Sequence, residues 1–396
     1  MPTYPTYKLG DVADILDSFR KPINSTERAK RIQGKNETEL YPYYGATGQV
    51  GLIDEYLTDG EYVLVGEDGA PFLEPFKPKS YIIRGKAWVN NHAHILSGKK
   101  DVSCNQYLNY YLNSFDYKDF VNGTTRLKLT QGNLVEIPIP LPSLPTQQAI
   151  VSRIESLFAE LDKAVEKLKT AQQQLKIYKQ ALLNHCLNNE DGKWETVKLG
   201  EVIDKPIYGT SKKCDYEIAG AGTGVLRIPN IGDGYIIEDD LKFALFSEDE
   251  KKKYSLKEGD LLTIRSNGSV DLVGKCALIS CNEEKYLYAG YLIRLRPNGE
   301  KANSKFLLYT LESYNLRVQI EEKAKSTSGV NNINSAEIQS LQISLPPLPD
   351  QQRIVQEIES RLSQAEAAES RIAEALQKTE ALRQSILKKA FSGELV

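Results

Sequence analysis

Residues Leu141–Leu187 read LPSLPTQQAIVSRIESLFAELDKAVEKLKTAQQQLKIYKQALLNHCL, and residues Leu345–Phe391 read LPPLPDQQRIVQEIESRLSQAEAAESRIAEALQKTEALRQSILKKAF. Both stretches begin with prolines, continue with a Gln-Gln pair and then carry the same Ile-Val-x-x-Ile-Glu-Ser run. One repeat over so long a period indicates a duplicated half-molecule rather than a solenoid of short repeats. The sequence therefore predicts two similar halves, each with a globular part followed by a long helix.

The apolar residues of both stretches follow the heptad spacing of a coiled coil. The positions that we predict to pair the helices are Ile154, Leu161, Leu168, Leu175, Leu182, Ile358, Ile372, Leu382 and Ile386. A companion series in the first copy comprises Ile150, Leu157, Ala164, Ala171 and Tyr178. Because the linker after the first helix is short, the second helix must return, and we expect an antiparallel pair. Two separate surface helices are the alternative.

The helix starts are predicted from proline and capping residues. Thr146 and Asp350 follow Pro145 and Pro349 and have side chains that suit an N-cap. We therefore expect helices over 147–187 and 351–396.

Length and charge limit the classes of protein that the chain can belong to. Its 396 residues suggest two to three domains. The net charge of −3 shows no overall basic excess, so any nucleic-acid binding must depend on a local basic surface or on the charge of a partner. The N-terminal residues do not resemble a signal peptide, and no apolar run is long enough to span a membrane. The five cysteines fit no zinc spacing, which favours free thiols and a cytoplasmic location.

The globular parts read as mixtures of short strands and helices. Tyr7–Val12 is echoed by Val197–Val202, which marks the start of the second half. Strands are predicted at Gly51–Ile53, Glu61–Val65, Tyr81–Ile83, Gly224–Ile231, Asp260–Arg265, Gly274–Ser280 and Gly290–Leu295, and helices at Asn105–Phe120 and Ser304–Ile320. The predicted fold class is α+β, with globular domains at 1–146 and 188–350.

Several catalytic signatures are absent from the sequence. It contains neither a GxxxxGK[ST] nucleotide loop nor the Asn/Asp-Pro-Pro-Tyr motif of adenine-N6 methyltransferases. His92 and His94 would share a strand face and could bind a metal, but a structural or DNA-facing role is the alternative. Asp233, Asp239, Asp240 and Lys242 are available for a nuclease, but their spacing does not favour one. We predict no catalytic residues and no metal site.

Polar and basic residues cluster on glycine- and serine-rich turns of both halves. Arg, Lys, Asn and Gln suit base edges, whereas Ser, Thr and glycine amides suit phosphates. The predicted DNA-binding residues are Thr47, Lys86, Asn91, Thr125, Arg126, Lys128, Arg227, Asn230, Arg265, Ser266, Asn267, Ser328, Asn331 and Asn332. Any one such cluster can be an ordinary solvated turn. Their presence in both halves favours a function.

The whole chain resembles the specificity subunits of type I restriction-modification systems. The repeated LPxLPxQQxIVxxIE motif carries the resemblance, supported by Tyr43–Gly48, Val65–Ala70, Leu226–Ile231 and Glu258–Leu262. The resemblance implies two target-recognition domains that each read half of a split DNA sequence, at 1–146 and within 188–350, separated by two conserved spacer helices.

The resemblance also implies partners. Two methyltransferase subunits would dock on the helices, and restriction/translocase subunits would complete the complex. S-adenosylmethionine, ATP and Mg²⁺ would bind those partners, with no cofactor in this chain. The alternative is a coiled-coil interaction scaffold without DNA sequence specificity.

Overall fold

The computed structural model describes residues 4–189, 192–324 and 330–396. The chain divides into two compact units. Unit 1 consists of Met1–Thr170 with Ile372–Val396, and unit 2 consists of Ala171–Arg371. Two long helices contribute a segment to each unit. No helix among the described residues is both long enough and apolar enough to cross a membrane.

Unit 1 is built on a six-stranded sheet. Its elements are β1 (Thr6–Lys8), α1 (Leu9–Val12), β2 (Ala13–Ile15), α2 (Ser25–Ile32), β3 (Tyr41–Gly45), β4 (Gly48–Ile53), β5 (Thr58–Gly66), β6 (Ser80–Val89), β7 (Ala93–Gly98), α3 (Asn105–Ser114), α4 (Gln131–Val135), β8 (Pro138–Pro140) and the first part of α5 (Leu144–Cys186). The strand order is β2-β7-β5-β6-β3-β4. Neighbouring strands are antiparallel except for β3 and β6, which are parallel.

The central strand β5 is covered on both faces of the sheet. Successive side chains of a strand point to opposite faces. Val63 and Val65 therefore join the cluster that contains helix residues such as Leu108, whereas Leu64 joins Ile95 on the other face. All three β5 side chains are fully buried, and each contributes roughly 1.5–3 kcal/mol to stability. The sheet is thus a rigid platform for the loops at its edge.

Unit 2 contains smaller sheets. Its elements are the last part of α5, β9 (Glu195–Lys198), β10 (Ile207–Tyr208), β11 (Thr223–Leu226), β12 (Lys242–Ala244), α6 (Glu248–Lys253), β13 (Leu261–Ile264), β14 (Ser266–Asn267), β15 (Cys276–Leu278), β16 (Leu287–Tyr288), β17 (Leu292–Leu295), α7 (Ser304–Glu312), α8 (Tyr314–Lys323), β18 (Asn331–Asn332), α9 (Ser335–Gln339), β19 (Gln342–Leu345) and the first part of α10 (Leu348–Ser392). The sheets run β10-β17-β13-β15, β12-β11-β16 and β14-β18. Two buried apolar clusters form the core of unit 2. One of them includes residues of the long helices, and the other does not.

In each unit, the strand at the start of the globular part pairs with the strand that precedes the long helix. In unit 1, β1 pairs antiparallel with β8, so that Tyr7 lies opposite Ile139. In unit 2, β9 pairs antiparallel with β19, so that Val197 lies opposite Ile343. The start of each globular part is thereby joined to the strand that leads into its long helix.

The first glutamine of each Gln-Gln pair is fully buried and links the long helix to the globular part. Gln147 Oε1 accepts the backbone N–H of Cys104, which is the N-cap residue of α3, at 3.1 Å. Its Nε2 donates to the carbonyls of Val102 and Pro142, both at 2.9 Å. Gln147 is 0% exposed, so these bonds satisfy a side chain that has no access to water.

Gln351 repeats this arrangement in unit 2. Its Oε1 accepts the N–H of Asn303, the N-cap residue of α7, at 2.8 Å. Its Nε2 donates to the carbonyls of Lys301 at 3.0 Å and Pro346 at 2.8 Å. The repeat of this glutamine at the same position in both copies therefore has a structural reason, because its side chain orients each long helix.

The long helices run in opposite directions within each unit. In unit 1, Ile154 near the start of α5 shares a buried cluster with Leu387 near the end of α10. In unit 2, Leu183 near the end of α5 shares a buried cluster with Ile354 and Ile358 near the start of α10. This order of neighbours is that of the predicted antiparallel pair.

Ion pairs join the two helices within the units. In unit 1, Arg383 pairs with Asp162 and lies over the Phe158 ring, 4.8 Å from its centre. In unit 2, Lys179 Nζ lies 2.6 Å from the Glu369 carboxylate. Partly exposed pairs of this kind contribute about 0–1 kcal/mol each to stability.

Burial along the helices follows the predicted pairing positions closely. Ile154, Leu182 and Ile358 are buried, whereas Leu161, Leu168, Leu175, Ile372 and Ile386 are half-buried. Leu382 departs from the prediction because it is 50% exposed. In the companion series Ala164 and Tyr178 are also exposed, and their neighbours Val165 and Lys179 are half-buried instead. The main series keeps its spacing of seven residues from Ile154 to Leu182, so the contact row shifts by one residue only in the companion series.

The predicted helix starts were wrong. The helices begin at Leu144 and Leu348, so Pro145 and Pro349 lie inside the first turn and Thr146 and Asp350 are not N-caps. Proline is tolerated there because the first N–H groups of a helix have no intrahelical partner.

Several other elements are shorter than predicted, among them the strands predicted at Asp260–Arg265, Gly274–Ser280 and Gly290–Leu295, which form Leu261–Ile264, Cys276–Leu278 and Leu292–Leu295. The helix from Asn105 ends at Ser114, where Phe115 turns to an extended conformation. The helix from Ser304 is interrupted at Ser313, which is extended and precedes α8. The strand from Gly224 ends at Leu226, and a 3-10 turn, Ile228–Asn230, follows it. At two of these ends a polar side chain bonds the backbone locally: Ser313 Oγ donates to the Thr310 carbonyl, and Asn230 Oδ1 accepts the Arg227 N–H.

Candidate nucleic-acid interface

A loop at the end of β5 brings two predicted cations together in unit 1. The carboxylate of Glu67 lies 3.0 Å from Lys128 Nζ, and that of Asp68 lies 3.1 Å from Arg126 Nη2. The backbone supports this arrangement, since Leu129 N–H donates to the Glu67 carbonyl at 2.7 Å. The side chains of Arg126 and Lys128 remain 62% and 52% exposed. Both cations are therefore held at the surface by a carboxylate, with more than half of each side chain exposed.

A buried network lies beneath this loop. Arg20 Nη1 donates to Glu67 at 2.5 Å, and His94, which is 1% exposed, contacts Asp17 through Nδ1 at 2.7 Å and the Leu129 carbonyl through Nε2 at 2.9 Å. Burial favours a higher pKa for Glu67, but hydrogen bonds from Arg20 and Lys128 outweigh it and lower that pKa. The carboxylate is therefore ionised at neutral pH and holds the base of the loop.

The histidines take different partners. His92 Nδ1 lies 2.6 Å from Asp68, whereas His94 binds Asp17. The described residues contain no group of three or more His, Cys, Asp or Glu placed to hold a metal ion. The two rings thus act in the structure as hydrogen-bonding groups around Arg126 and Lys128.

Thr47 and Asn91 border the same loop. The turn that contains Thr47 is held by Asn90, whose N–H donates to the Tyr44 carbonyl at 3.0 Å, and by the Tyr81 hydroxyl, which donates to the Gly45 carbonyl. Gly66 packs against this turn so closely that a Cβ would lie 2.3 Å from the Ala70 Cβ and 3.1 Å from the Ala46 carbonyl oxygen. Thr47 and Asn91 are exposed, as is Thr125 on the loop itself.

Lys86 lies elsewhere in unit 1. It is opposite Asp59 toward the other end of the β5–β6 pair, with its Nζ 4.6 Å from the Tyr56 ring centre. The structure therefore does not bring Lys86 together with the residues around Glu67 and Asp68.

Unit 1 also carries a basic helix that was not among the predicted DNA-binding residues. Helix α2 lies on aromatic rings, with the Arg28 guanidinium 4.7 Å from the Tyr43 ring centre and that of Arg31 5.1 Å from the Trp88 ring centre. Lys30 on the same helix is exposed. The sequence signal was the run Ser25–Ile32, STERAKRI, with arginines three residues apart and therefore on one helix face.

Unit 2 has a cationic cleft of about 610 Å³. Four cations line it, namely Lys212, Arg227, Lys242 and Arg265, with Ser266 and Tyr291 among their neighbours. No carboxylate belongs to the lining within the part of the chain that the structure describes. These residues lie at or just beyond the ends of β10, β11, β12 and β13. The structure thus assembles one positive surface from segments that are distant in sequence.

Arg227 lines this cleft, whereas Asn230 does not belong to its lining. Arg227 Nη2 donates to the Asp240 carboxylate at 2.8 Å, and its side chain is 23% exposed. Asn230 is 0% exposed. Its Nδ2 donates to the carbonyls of Ile237 and Asp239, and its Oδ1 accepts the N–H of Arg227, all at 2.8 Å. The prediction that Asn230 contacts DNA is therefore wrong: its amide satisfies the backbone of the loop that carries Asp239.

The remaining predicted residues of unit 2 form a two-stranded ladder beside the cleft. Ser266 pairs with Asn332, and Asn267 pairs with Asn331. Asn267 Oδ1 accepts the Ser269 N–H at 2.9 Å, and Asn331 Nδ2 donates to the Gly268 carbonyl at 3.1 Å. Asn332 is exposed, and Ser328 lies outside the described residues. The asparagine side chains thus hold the loop that follows Arg265.

The fold and these surfaces define a class of protein. The family model of the type I restriction modification DNA specificity domain matches residues 1–171 and 191–378, and the chain belongs to this family. This membership confirms the predicted class, the type I restriction-modification DNA specificity proteins.

The chain is similar to known specificity subunits. It is 33% identical over 270 residues to the type I restriction enzyme StySPI specificity subunit of Salmonella potsdam, which covers 65% of this chain and 58% of that protein. It is 31% identical over 276 residues to the EcoKI specificity subunit of Escherichia coli strain K12, with the same coverage of 65% and 58%. The match therefore spans 58% of the length of each of these two relatives. A putative type I specificity subunit of Haemophilus influenzae is 29% identical, over 88% of this chain and 84% of that protein.

Solved structures have the same fold. One, from work on complex assembly and conformational transition of the type I R-M system, matches with a TM-score of 0.72 at 19% identity, over 100% of this chain and 99% of that chain. The HsdS subunit of Thermoanaerobacter tengcongensis matches with a TM-score of 0.57 at 19% identity, over 99% and 97% of the two chains. The predicted fold class, two mixed α/β globular parts and two long helices, is confirmed.

Proposed function

We propose that this chain reads a bipartite sequence in double-stranded DNA as the specificity subunit of a type I restriction-modification complex. The observation that carries the proposal is the presence of exposed basic side chains in both units. In unit 1 Arg126 and Lys128 are exposed on a loop, each paired with one carboxylate, and in unit 2 four cations line a cleft whose described lining holds no carboxylate. Because the net charge is −3, these local clusters supply the attraction to phosphate that the chain as a whole lacks.

Rigid support of the clusters favours sequence reading over loose electrostatic binding. Each cluster is held by hydrogen bonds to buried or half-buried groups, such as Glu67 in unit 1 and Asn230 in unit 2. A reader of base edges needs side chains in fixed positions, whereas phosphate contacts alone carry no sequence information.

The proposed partners are two methyltransferase subunits, which dock on the long helices, and restriction/translocase subunits. Ile177 of α5 and Leu382 of α10 are 70% and 50% exposed, and a docked subunit would cover them. S-adenosylmethionine, ATP and Mg²⁺ belong to these partners in our proposal. The proposed location of the complex is the cytoplasm.

The test uses the full chain purified with its methyltransferase. We would select duplexes from a randomised library and measure the affinity for the selected sequence, for versions with either half-site scrambled and for random DNA. The proposal expects two short conserved blocks with a spacer of fixed length, and a loss of affinity when either block is scrambled. Equal affinity for all duplexes would contradict it and favour the alternative, a coiled-coil scaffold without DNA specificity.

A further inference from the structure

Arg265 differs from the other cations of the unit 2 cleft in how it is held. Its guanidinium carbon lies 4.7 Å from the centre of the Tyr208 ring, and its Nε donates to Asn332 Oδ1 at 3.3 Å. Its backbone is fixed as well, since its N–H donates to the Tyr291 carbonyl at 2.9 Å and its carbonyl accepts the Ile333 N–H at 2.8 Å. Among the described residues, no hydrogen bond or ion pair engages the two terminal amines. The guanidinium of Arg265 is therefore held in a fixed orientation. The N–H donors of its two terminal nitrogens have no hydrogen-bond partner among the described residues.

The other three cations are already engaged. Arg227 donates to Asp240, Lys212 Nζ lies 2.7 Å from the Glu250 carboxylate, and Lys242 Nζ lies 4.7 Å from the Tyr216 ring centre. The two lysines are point charges on flexible stems, which suit phosphate oxygens without distinguishing bases.

We propose that Arg265 reads a guanine in the major groove of the half-site bound by unit 2, and that Tyr208 and Asn332 are its positioning residues. This inference rests on the proposed function. Guanine presents two acceptors, O6 and N7, on its major-groove edge, and an arginine fork donates to both at once. A fork that is already oriented loses less side-chain entropy on binding than a free one. Lys212 and Lys242 contact phosphates around it.

The experiment measures binding of the complete chain with its methyltransferase to the selected target and to every single-base-pair replacement in it. The wild-type complex is expected to disfavour replacement of one G·C pair in the unit 2 half-site by roughly 5- to 140-fold. Arg265→Lys retains the charge but not the fork. It should bind all four base pairs at that position nearly alike and discriminate as before at every other position.

Matched variants separate reading from general attraction and from folding. Lys242→Gln should weaken binding to all sequences alike and reduce the salt slope by about one. Tyr208→Phe keeps the ring, although it removes the hydroxyl that accepts the Ser335 N–H at 2.8 Å, and should retain discrimination. Tyr208→Leu and Asn332→Ala should reduce discrimination at the Arg265 position and at no other.

The outcomes distinguish the inference from the proposed function. A wild-type complex without sequence preference would defeat the proposed function. A wild-type complex that is specific, together with an Arg265→Lys complex that discriminates equally well at every position, would refute the role of Arg265 alone. Uniform weakening by Arg265→Lys would also refute it, because that pattern belongs to a phosphate contact.

Discussion

Replacing Gln351 by leucine should destabilise unit 2 specifically. The change removes three hydrogen bonds, at 2.8, 3.0 and 2.8 Å, and leaves the Asn303 N–H and the Lys301 and Pro346 carbonyls without a partner. A buried polar group left unsatisfied costs about 1–3 kcal/mol, and two of these three groups are only partly buried. We therefore expect the free energy of unfolding of unit 2 to fall by about 2–4 kcal/mol.

The chain offers a separate reporter for each unit. Its two tryptophans are Trp88 in unit 1 and Trp194 in unit 2. In a Trp88→Phe background, urea unfolding followed by Trp194 fluorescence reports on unit 2. A loss of 2–4 kcal/mol should lower the urea midpoint by roughly 1–2 M, given slopes of about 2 kcal/mol/M.

The control is the next residue. Gln352 is exposed, so Gln352→Leu should change the midpoint little, within about 0.5 kcal/mol. If Gln351→Leu behaved like Gln352→Leu, the buried glutamine would not link the helix to the globular part, and the structural reason for the repeated Gln-Gln pair would be refuted.

Three further predictions concern single residues. Burial, followed by the nearby Asp233 carboxylate, raises the pKa of Glu312 to about 7. The folded state therefore holds this proton more tightly than the unfolded state, and stability should fall by up to about 3 kcal/mol as pH rises from about 4.5 to 7. Glu312→Gln should remove that fall in urea unfolding curves, and an unchanged pH profile would contradict the buried environment. Asn230→Ala should destabilise unit 2 by about 1–3 kcal/mol in the Trp194 assay, because three backbone groups lose their partner; a stable variant with altered DNA preference would instead restore Asn230 as a contact. Arg126→Ala and Lys128→Ala should weaken target binding in filter or anisotropy assays, by about 1–3 kcal/mol if the side chain reads a base, and unchanged binding by both would exclude their loop from the interface.

The long helices could be predicted because their signal is local and repeated. Sequence spacing alone places Ile154 and Ile358 on the contact row, and both are buried. The helix starts could not be predicted as well, since proline both ends regular structure and fits the first turn, where Pro145 and Pro349 lie.

The candidate interface was predictable only in part. Residue type and polar context selected Arg126 and Arg265, and the structure places one on an exposed loop and the other in the lining of the unit 2 cleft; their contact with DNA stays a prediction. Asn230 has the same kind of context, but its amide hydrogen-bonds to backbone groups up to nine residues away. The spacing of residues in the sequence does not predict such bonds. The aromatic support of Arg28 and Arg31 comes from Tyr43 and Trp88, which only the folded sheet brings under α2.

The most direct test of bipartite DNA reading is a genome-wide map of N6-methyladenine in cells that express this chain with its methyltransferase, compared with cells that lack the chain. The account predicts a methylated motif of two short blocks with a fixed spacer, which disappears when the chain is removed. It also predicts that Arg265→Lys relaxes one position of a single block and leaves the other block unchanged. Methylation that persists without the chain, or a chain-dependent motif that is one uninterrupted block, would contradict the account.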